Sequence, residues 1–560
     1  MTKDQIEDAL QRLKRKKTDR TQFDSVWEEI RNYELPNRPS FLGAETPGSK
    51  TMSKIYDGTV MDAINVCKAG VSGMLTNAAL PWHNIEMSDK RLNQEPAVKE
   101  ALEEVNEVMP AEYHASNFYT NIDGVYEEVI GFGQSGLFIG QGKKKPLNFM
   151  PIPLCQIYTD DDSEGDVDTV MRCYKMTARQ ARQEWPQSSL TKKMVEALTR
   201  KGDDRDKEFE VVHLVSPRTD REINKDGTYK KDSKSKAFLS AYIAVEEKEV
   251  LDEGGFDEMP YAIPRLFMMS GDGYGRGMGW NALPDTKMLN SMEKTGIRSW
   301  QKAADPPTQG PDEGTSLPIK VGPGGHTYNS NWDKQGSEIT TLYPPGTFQQ
   351  LPNYESKCEQ KRGQIREFFF YKQFRTQQEG QPRTAQEIIQ IASENLKILG
   401  PLLNRFMEEL LKPIVVRSFW ILYRLGKFPK LTQYMASVGG QGDFKIVYLS
   451  PIAKAQRLYE SQEIQNALTM ILTMAGVKPE MLDLISGDEY YRLVQELYPA
   501  LNKVSEKTSR VKAMREARAE AQAKAEGISD AGSLLEGAKT ASETDPSKGL
   551  LADLSGNVGL

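Results

Sequence analysis

The chain has 560 residues, is 38% hydrophobic and 27% charged, and carries a net charge of −7. That length exceeds what one hydrophobic core usually serves, and the acidic balance argues against a dedicated DNA-wrapping protein, which would be basic. Four dispersed cysteines, Cys67, Cys155, Cys173 and Cys358, give no C-x-x-C pair, and no run approaches ~18 apolar residues, so a disulfide framework, a zinc site, a signal peptide and a membrane span are all unpredicted.

Residues 1–34 read as one helix, with Trp27, Ile30 and Tyr33/Glu34 at three-to-four spacing and Pro36 as its stop. Residues 56–80 predict a second helix, its buried stripe marked by Val60, Ile64, Cys67, Val71 and Leu75. Residues 118–133 predict a third, leading into a strand at Leu137–Ile139. From 147 to 215 the pattern turns to strands. NFMPIPLCQIYTDDDSEGDVDTVMRCYKM reads as a hairpin with a polar tip at Asp160–Asp166. TARQARQEWP is a short helix with Thr177 as its N-cap. EFEVVHLVSP and KAFLSAYIAVEEKEVLDEGGF are further strands, so the chain to about residue 270 is α+β.

Residues 280–303 predict a long helix whose apolar stripe is thin, the pattern of a rod that packs against copies of itself. Residues 304–349 hold seven prolines and seven glycines around short β-prone pieces, which makes them a small β-module between helices. Residues 353–376 return as helix. After the loop QQEGQP comes the most periodic helix of the chain, opened by a Thr384/Glu387 capping box and interrupted by Pro401, which must bend or break it. Residues 414–425 and 453–500 predict more helix, 502–526 a helical Ala/Glu/Lys/Arg segment, and 527–560 a small, polar, flexible tail.

GDGYGRGMG, residues 271–279, places a glycine at every second position before a helix. It fails the dinucleotide pattern G-x-G-x-x-G in every register. Gly131-Phe132-Gly133-Gln134-Ser135-Gly136 matches that pattern, but it runs from helix to strand, the reverse of a pyrophosphate site. Both glycine sets therefore read as turns where two backbones approach closely. Asp160–Gly165 imitates a calcium loop, yet Met171 stands where the bidentate glutamate belongs. The four histidines share no metal or catalytic spacing, and no G-x-S-x-G elbow exists. No catalytic residue, metal ligand or cofactor is predicted.

Charge is more informative. Residues 304–349 carry five acids and two bases; residues 353–383 carry seven bases, among them Lys357, Lys361, Arg362, Arg366, Arg375 and Arg383, and four acids. In a ring these would stack as belts of alternating sign. A helix of about 24 residues spans about 36 Å, and a duplex presents one charge per ~1.7 Å, so such belts would face about twenty phosphates.

The order helix, Gly/Pro-rich β-insert, helix, polar loop, long kinked helix resembles the core of bacteriophage portal proteins, in particular the head-to-tail connectors of short-tailed podoviruses. IRNYELPNRPSF, AINVCKAGVSGMLTNAALPWHNIEM, SNFYTNIDGVYEEVIGFGQSGLFI, GDGYGRGMG and GQPRTAQEI carry the likeness, in that order, over about residues 20–425. The resemblance implies a mainly helical α+β subunit. Its parts would be a wing at 1–270, a first stem helix with its glycine entry at 271–303, a clip at 304–349 and a second stem helix at 350–376. A channel loop at 377–383, a kinked helix at 384–425, a crown or barrel at 426–526 and a flexible tail at 527–560 would follow.

The resemblance also implies a function without catalysis. Twelve subunits would form a ring at one capsid vertex and pass double-stranded DNA during packaging and ejection. Terminase and later tail adaptors would dock on the clip, and scaffolding and capsid proteins on the wing. The protein would assemble in the host cytoplasm and reside in the virion, away from membranes. Lys357, Lys361, Arg362, Arg366, Arg375, Gln377, Gln378 and Arg383 would be the DNA-channel candidates. Tyr274, Gly275, Arg276, Thr384 and Glu387 would serve the stem entry and subunit contacts. The rival readings are another phage ring component, such as a tail adaptor or nozzle, and a nucleic-acid enzyme.

Overall fold

The computed structural model describes residues 1–43, 48–89, 91–199, 206–218, 235–311, 320–329, 340–342, 351–375, 398–432 and 444–449, with four further helical positions at 514, 515, 517 and 518. The chain divides into Met1–Ala455 and Gln456–Leu560. Apart from those four positions, the helices predicted for 453–500 and 502–526 and the tail at 527–560 lie outside the described residues.

The fold begins with two helices where the sequence predicts one, α1 (Lys3–Asp19) and α2 (Thr21–Tyr33). Arg20 interrupts them. Its side chain is buried and donates to the carbonyls of Leu154, Cys155 and Ile157, a tertiary demand that helical periodicity does not record. α3 (Thr59–Leu75) buries Val60, Ile64, Cys67, Val71 and Leu75, the stripe its spacing predicts. β1 (His83–Met87), α4 (Pro96–Ala115) and α5 (Phe118–Gly131) follow. α4 is unpredicted; it buries Val98, Ala101, Leu102, Val105 and Met109.

β2 (Gly136–Gln141) pairs antiparallel with β3 (Leu147–Ile152). The hairpin predicted over 148–176 therefore splits. β3 joins β2, while β4 (Ile157–Asp161) and β5 (Val167–Thr177) form the hairpin across the acidic tip. That hairpin opens a five-stranded antiparallel sheet in the order β4-β5-β6-β7-β8, completed by β6 (Glu208–Pro217), β7 (Phe238–Ala244) and β8 (Glu249–Phe256). α6 (Ala178–Glu184), capped by Thr177 and Gln180, and α7 (Lys192–Thr199) cover it through Ala181, Trp185 and Met194. β9 (Tyr261–Ala262) returns to β2.

α8 (Met278–Ala304) leads to a three-stranded sheet of β10 (Thr308–Pro311), β11 (His326–Asn329) and β12 (Thr340–Thr341), and α9 (Leu351–Phe368) comes back beside α8. The predicted helix–insert–helix order is thus present. α9 ends earlier than its prediction at 376. Phe370 adopts a left-handed backbone, φ 53°, and the four-residue α10 (Tyr371–Phe374) follows. The left-handed residue costs about 1–2 kcal/mol. It turns the chain so that Phe369 and Tyr371 are buried and Phe374 fills the space over Gly70 of α3, which offsets that cost.

Residues 398–424 form one helical run that passes through Pro401 unbroken; its irregularity is a π turn at Met407–Leu411. Pro413 explains the position. It has no N–H to return to the carbonyl of Glu409, four residues earlier. The Tyr448 hydroxyl donates to the Met407 carbonyl at 2.9 Å. Tyr448 ends β13 (Phe444–Tyr448), which pairs with β1. The main core unites α2, α3, α4, α5, α8, α9 and the run 398–424 through Trp27, Ile64, Val105, Tyr126, Leu289, Ile365 and Phe406.

Candidate functional site

The two glycine motifs meet each other. Gly133, with φ 103°, lies so close to the start of α8 that a Cβ there would sit 2.2 Å from the Gly277 nitrogen. A Cβ on Gly275 would meet the Gly133 carbonyl oxygen at 2.5 Å, and one on Gly277 the Gly131 oxygen at 2.3 Å. Gln134 accepts from the Gly275 amide, and Phe267 exchanges backbone hydrogen bonds with Arg276. Trp27 and Trp280 both donate to the Phe132 carbonyl. Backbone fills the space that a phosphate would need, so the expected close approach is observed and the nucleotide pattern is coincidental.

Tyr274 is buried beside Trp27, in edge contact at 5.6 Å. Arg276 pairs with Asp272 of its own turn and lies over the Trp280 ring. Next to this joint, Glu34 is fully buried, with the Thr286 hydroxyl beside its carboxylate. Burial pushes its pKa well above the ordinary carboxylate range.

From the joint α8 runs out beside α9. Lys361 pairs with Asp285 at 2.9 Å. Arg362 joins three segments, reaching Asp57 at 2.8 Å, Glu293 of α8 and Glu359 of its own helix. Burial pushes the Asp57 carboxyl up, but hydrogen bonds from Thr59 and Arg362 outweigh it and hold the group below its usual range. Gly296 lets the Tyr354 ring approach, and the Tyr354 hydroxyl donates to the Met292 carbonyl. Beyond that contact Ile297 and Trp300 are exposed, Trp300 by 54%.

These contacts sort the cationic candidates. Lys361 and Arg362 are engaged as clamps between the rods. Arg366 pairs with Glu359, and Arg375 donates to the Tyr371 hydroxyl. Lys357 is exposed and makes no ion pair among the described residues. Gln377, Gln378, Arg383, Thr384 and Glu387 lie outside the described residues. Sequence reasoning missed Arg298 on α8 and Glu355 on α9, both exposed and unpaired among the described residues. Their signal was a charge with no opposite charge one helical turn away.

A serine–histidine contact went unpredicted as well. His213 hydrogen-bonds Ser240 at 3.0 Å and Tyr261 at 2.7 Å. All three are buried, Tyr242 stacks on the imidazole at 4.1 Å, and burial lowers its pKa to about 3. A sealed, weakly basic imidazole is a poor general base; this network holds β6, β7 and β9 together. At the acidic tip Asp162 accepts from the amides of Glu164 and Asp166, closing its own turn. No group of three metal-ligating side chains occurs among the described residues, and no described helix is long and apolar enough to cross a membrane.

The family model for bacteriophage head to tail connecting protein matches residues 6–500. The chain belongs to that family. The connector match covers both glycine motifs, both rods and the β-insert between them. The portal protein of Salmonella phage epsilon15 is 27% identical over 554 residues, covering 98% of this chain and 97% of that protein. The probable portal protein of Bordetella phage BPP-1 is 26% identical over 479 residues, covering 85% and 84%. As a connector, the chain has the portal function, the structural junction between phage head and tail.

Proposed function

We propose that this connector forms a closed ring, of twelve subunits, at one capsid vertex, with α8 and α9 of every copy lining the passage for double-stranded DNA. The supporting observation is the pair of rods. They bracket the β10–β12 module, clamp to one another through Arg362 and Lys361, and leave Ile297 and Trp300 exposed near the module end of α8. Apolar side chains left open on a rod suit contact with a symmetry mate, and heterologous contacts that close on rotation make a ring.

In this reading residues 1–270 form the wing that meets capsid and scaffolding proteins, and 304–349 the clip where terminase docks and tail adaptors later replace it. The loop 377–383 projects into the channel, and 384–425 joins the wing to a crown at 426–526. Of the candidates named from the sequence, Lys357 is the one on the described stem left unpaired for phosphates, with Arg375, Gln377, Gln378 and Arg383 at the loop. A light grip suits a conduit, because a tight one would stall a moving polyanion.

The test is to withdraw the chain from an infection by the phage that encodes it. Heads should then form without packaged DNA and without tails. Heads filled with DNA in its absence would overturn the proposal.

A further inference from the structure

One side of α8 is basic, and α9 carries exposed acids interleaved with Arg362 and Arg366. Lys287, Lys294 and Arg298 recur at i, i+7 and i+11, which places them on one side of α8. Lys294 and Arg298 are exposed, and the Lys287 side chain is 42% exposed even while it reaches Glu29. Lys294 lies over the Tyr56 ring and has no acidic partner among the described residues. On α9 the acids are Glu355, Glu359 and Glu367. Glu359 is 60% exposed beside Arg362 and Arg366, and Glu367 is 66% exposed beside Lys372. Glu355 is exposed and unpaired among the described residues. Ser356 and Gly363 lie on the same helix, and a Cβ on Gly363 would meet nothing within 4 Å, so another helix has room to approach.

We propose that the basic side of α8 docks on the Glu355 side of α9 of a second copy of this chain, Arg298 meeting Glu355. This rests on the ring reading above and names its contact surface. The heights agree. Within one chain the Tyr354 ring packs on Gly296, which sets these two positions level. On that antiparallel scale, at 1.5 Å per residue, Arg298 falls within about one turn of Glu355 and Lys294 within about one turn of Glu359. Rotation about a ring axis preserves height, so Arg298 faces Glu355 of the neighbouring copy. Each exposed pair is weak alone, but the ring repeats it at every interface.

Arg298 and Glu355 are the informative positions, because reversing either breaks no ion pair within the described chain. The full chain and the variants Arg298→Glu, Glu355→Arg and the reciprocal double are compared by light scattering and electron microscopy across a concentration series. Circular dichroism checks that each has folded. Each single variant should need at least about tenfold more protein to form rings, and the double should return to within about threefold of the parent. Singles that assemble at the parental concentration would overturn the proposal, as would a double no better than the singles. Intact rings with weakened DNA retention would overturn it in favour of a channel position for Arg298. Absence of rings from the parental chain at every concentration would overturn the ring reading itself, a result distinct from the others.

Discussion

Gly133 and Gly277 touch backbone to backbone, and neither position has room for a side chain: a Cβ on Gly277 would stand 2.6 Å from the Gly133 nitrogen. This contact fixes the start of α8 against the end of α5. Gly277→Ala should therefore destabilise the chain by about 3 kcal/mol. Gly273→Ala, four residues earlier in the same motif, should be nearly neutral, since nothing lies within 4 Å of its Cβ position. Denaturant unfolding of the two variants checks the difference.

Glu34 supplies a pH dependence. Burial raises its folded pKa well above the unfolded value of about 4.3. The folded state thus holds the proton more tightly. The stability linked to that proton is fully present below about pH 4.3 and is lost as pH rises through the folded pKa. Glu34→Gln removes the titration while keeping the shape. It should stabilise the fold by on the order of 1–2 kcal/mol at pH 8, and the gain should shrink as pH falls towards 4. Unfolding curves at a series of pH values measure it.

Arg362 and Lys357 lie on the same helix and should behave differently. Arg362→Ala leaves Asp57 and Glu293 unpaired, their side chains only 8% and 21% exposed. It should cost about 2–4 kcal/mol and loosen the rods. Lys357→Ala should leave stability within about 0.5 kcal/mol and act only on DNA passage. Thermal unfolding beside a packaging assay separates the two effects.

Deleting Gln377–Gln381 tests the channel loop. Rings should still form, but heads built with them should retain less packaged DNA, measured as DNA content per particle. Normal retention would remove the loop from the mechanism.

Much of this was legible in the sequence, where local rules decide. The stripe on α3, the Thr177 cap, the β-module between two helices and the close approach at the glycines all follow from spacing and backbone sterics. α4 went unpredicted although its stripe, Val98 to Met109, is plain. The rest depends on residues far apart in the chain. β1 pairs with β13, His83 against Tyr448, and no local pattern encodes that partnership. Arg20 breaks a helix because of carbonyls at 154–157. Arg362 reads as a free cation until the fold brings Asp57 and Glu293 to it.

The most direct measurement is a cryo-electron-microscopy reconstruction of the purified full chain. The account predicts a closed ring whose central hole admits a duplex, with α8 and α9 of each copy standing side by side around that hole. A protein that stays monomeric at every concentration, or a ring that carries those two helices on its outer wall, would contradict it.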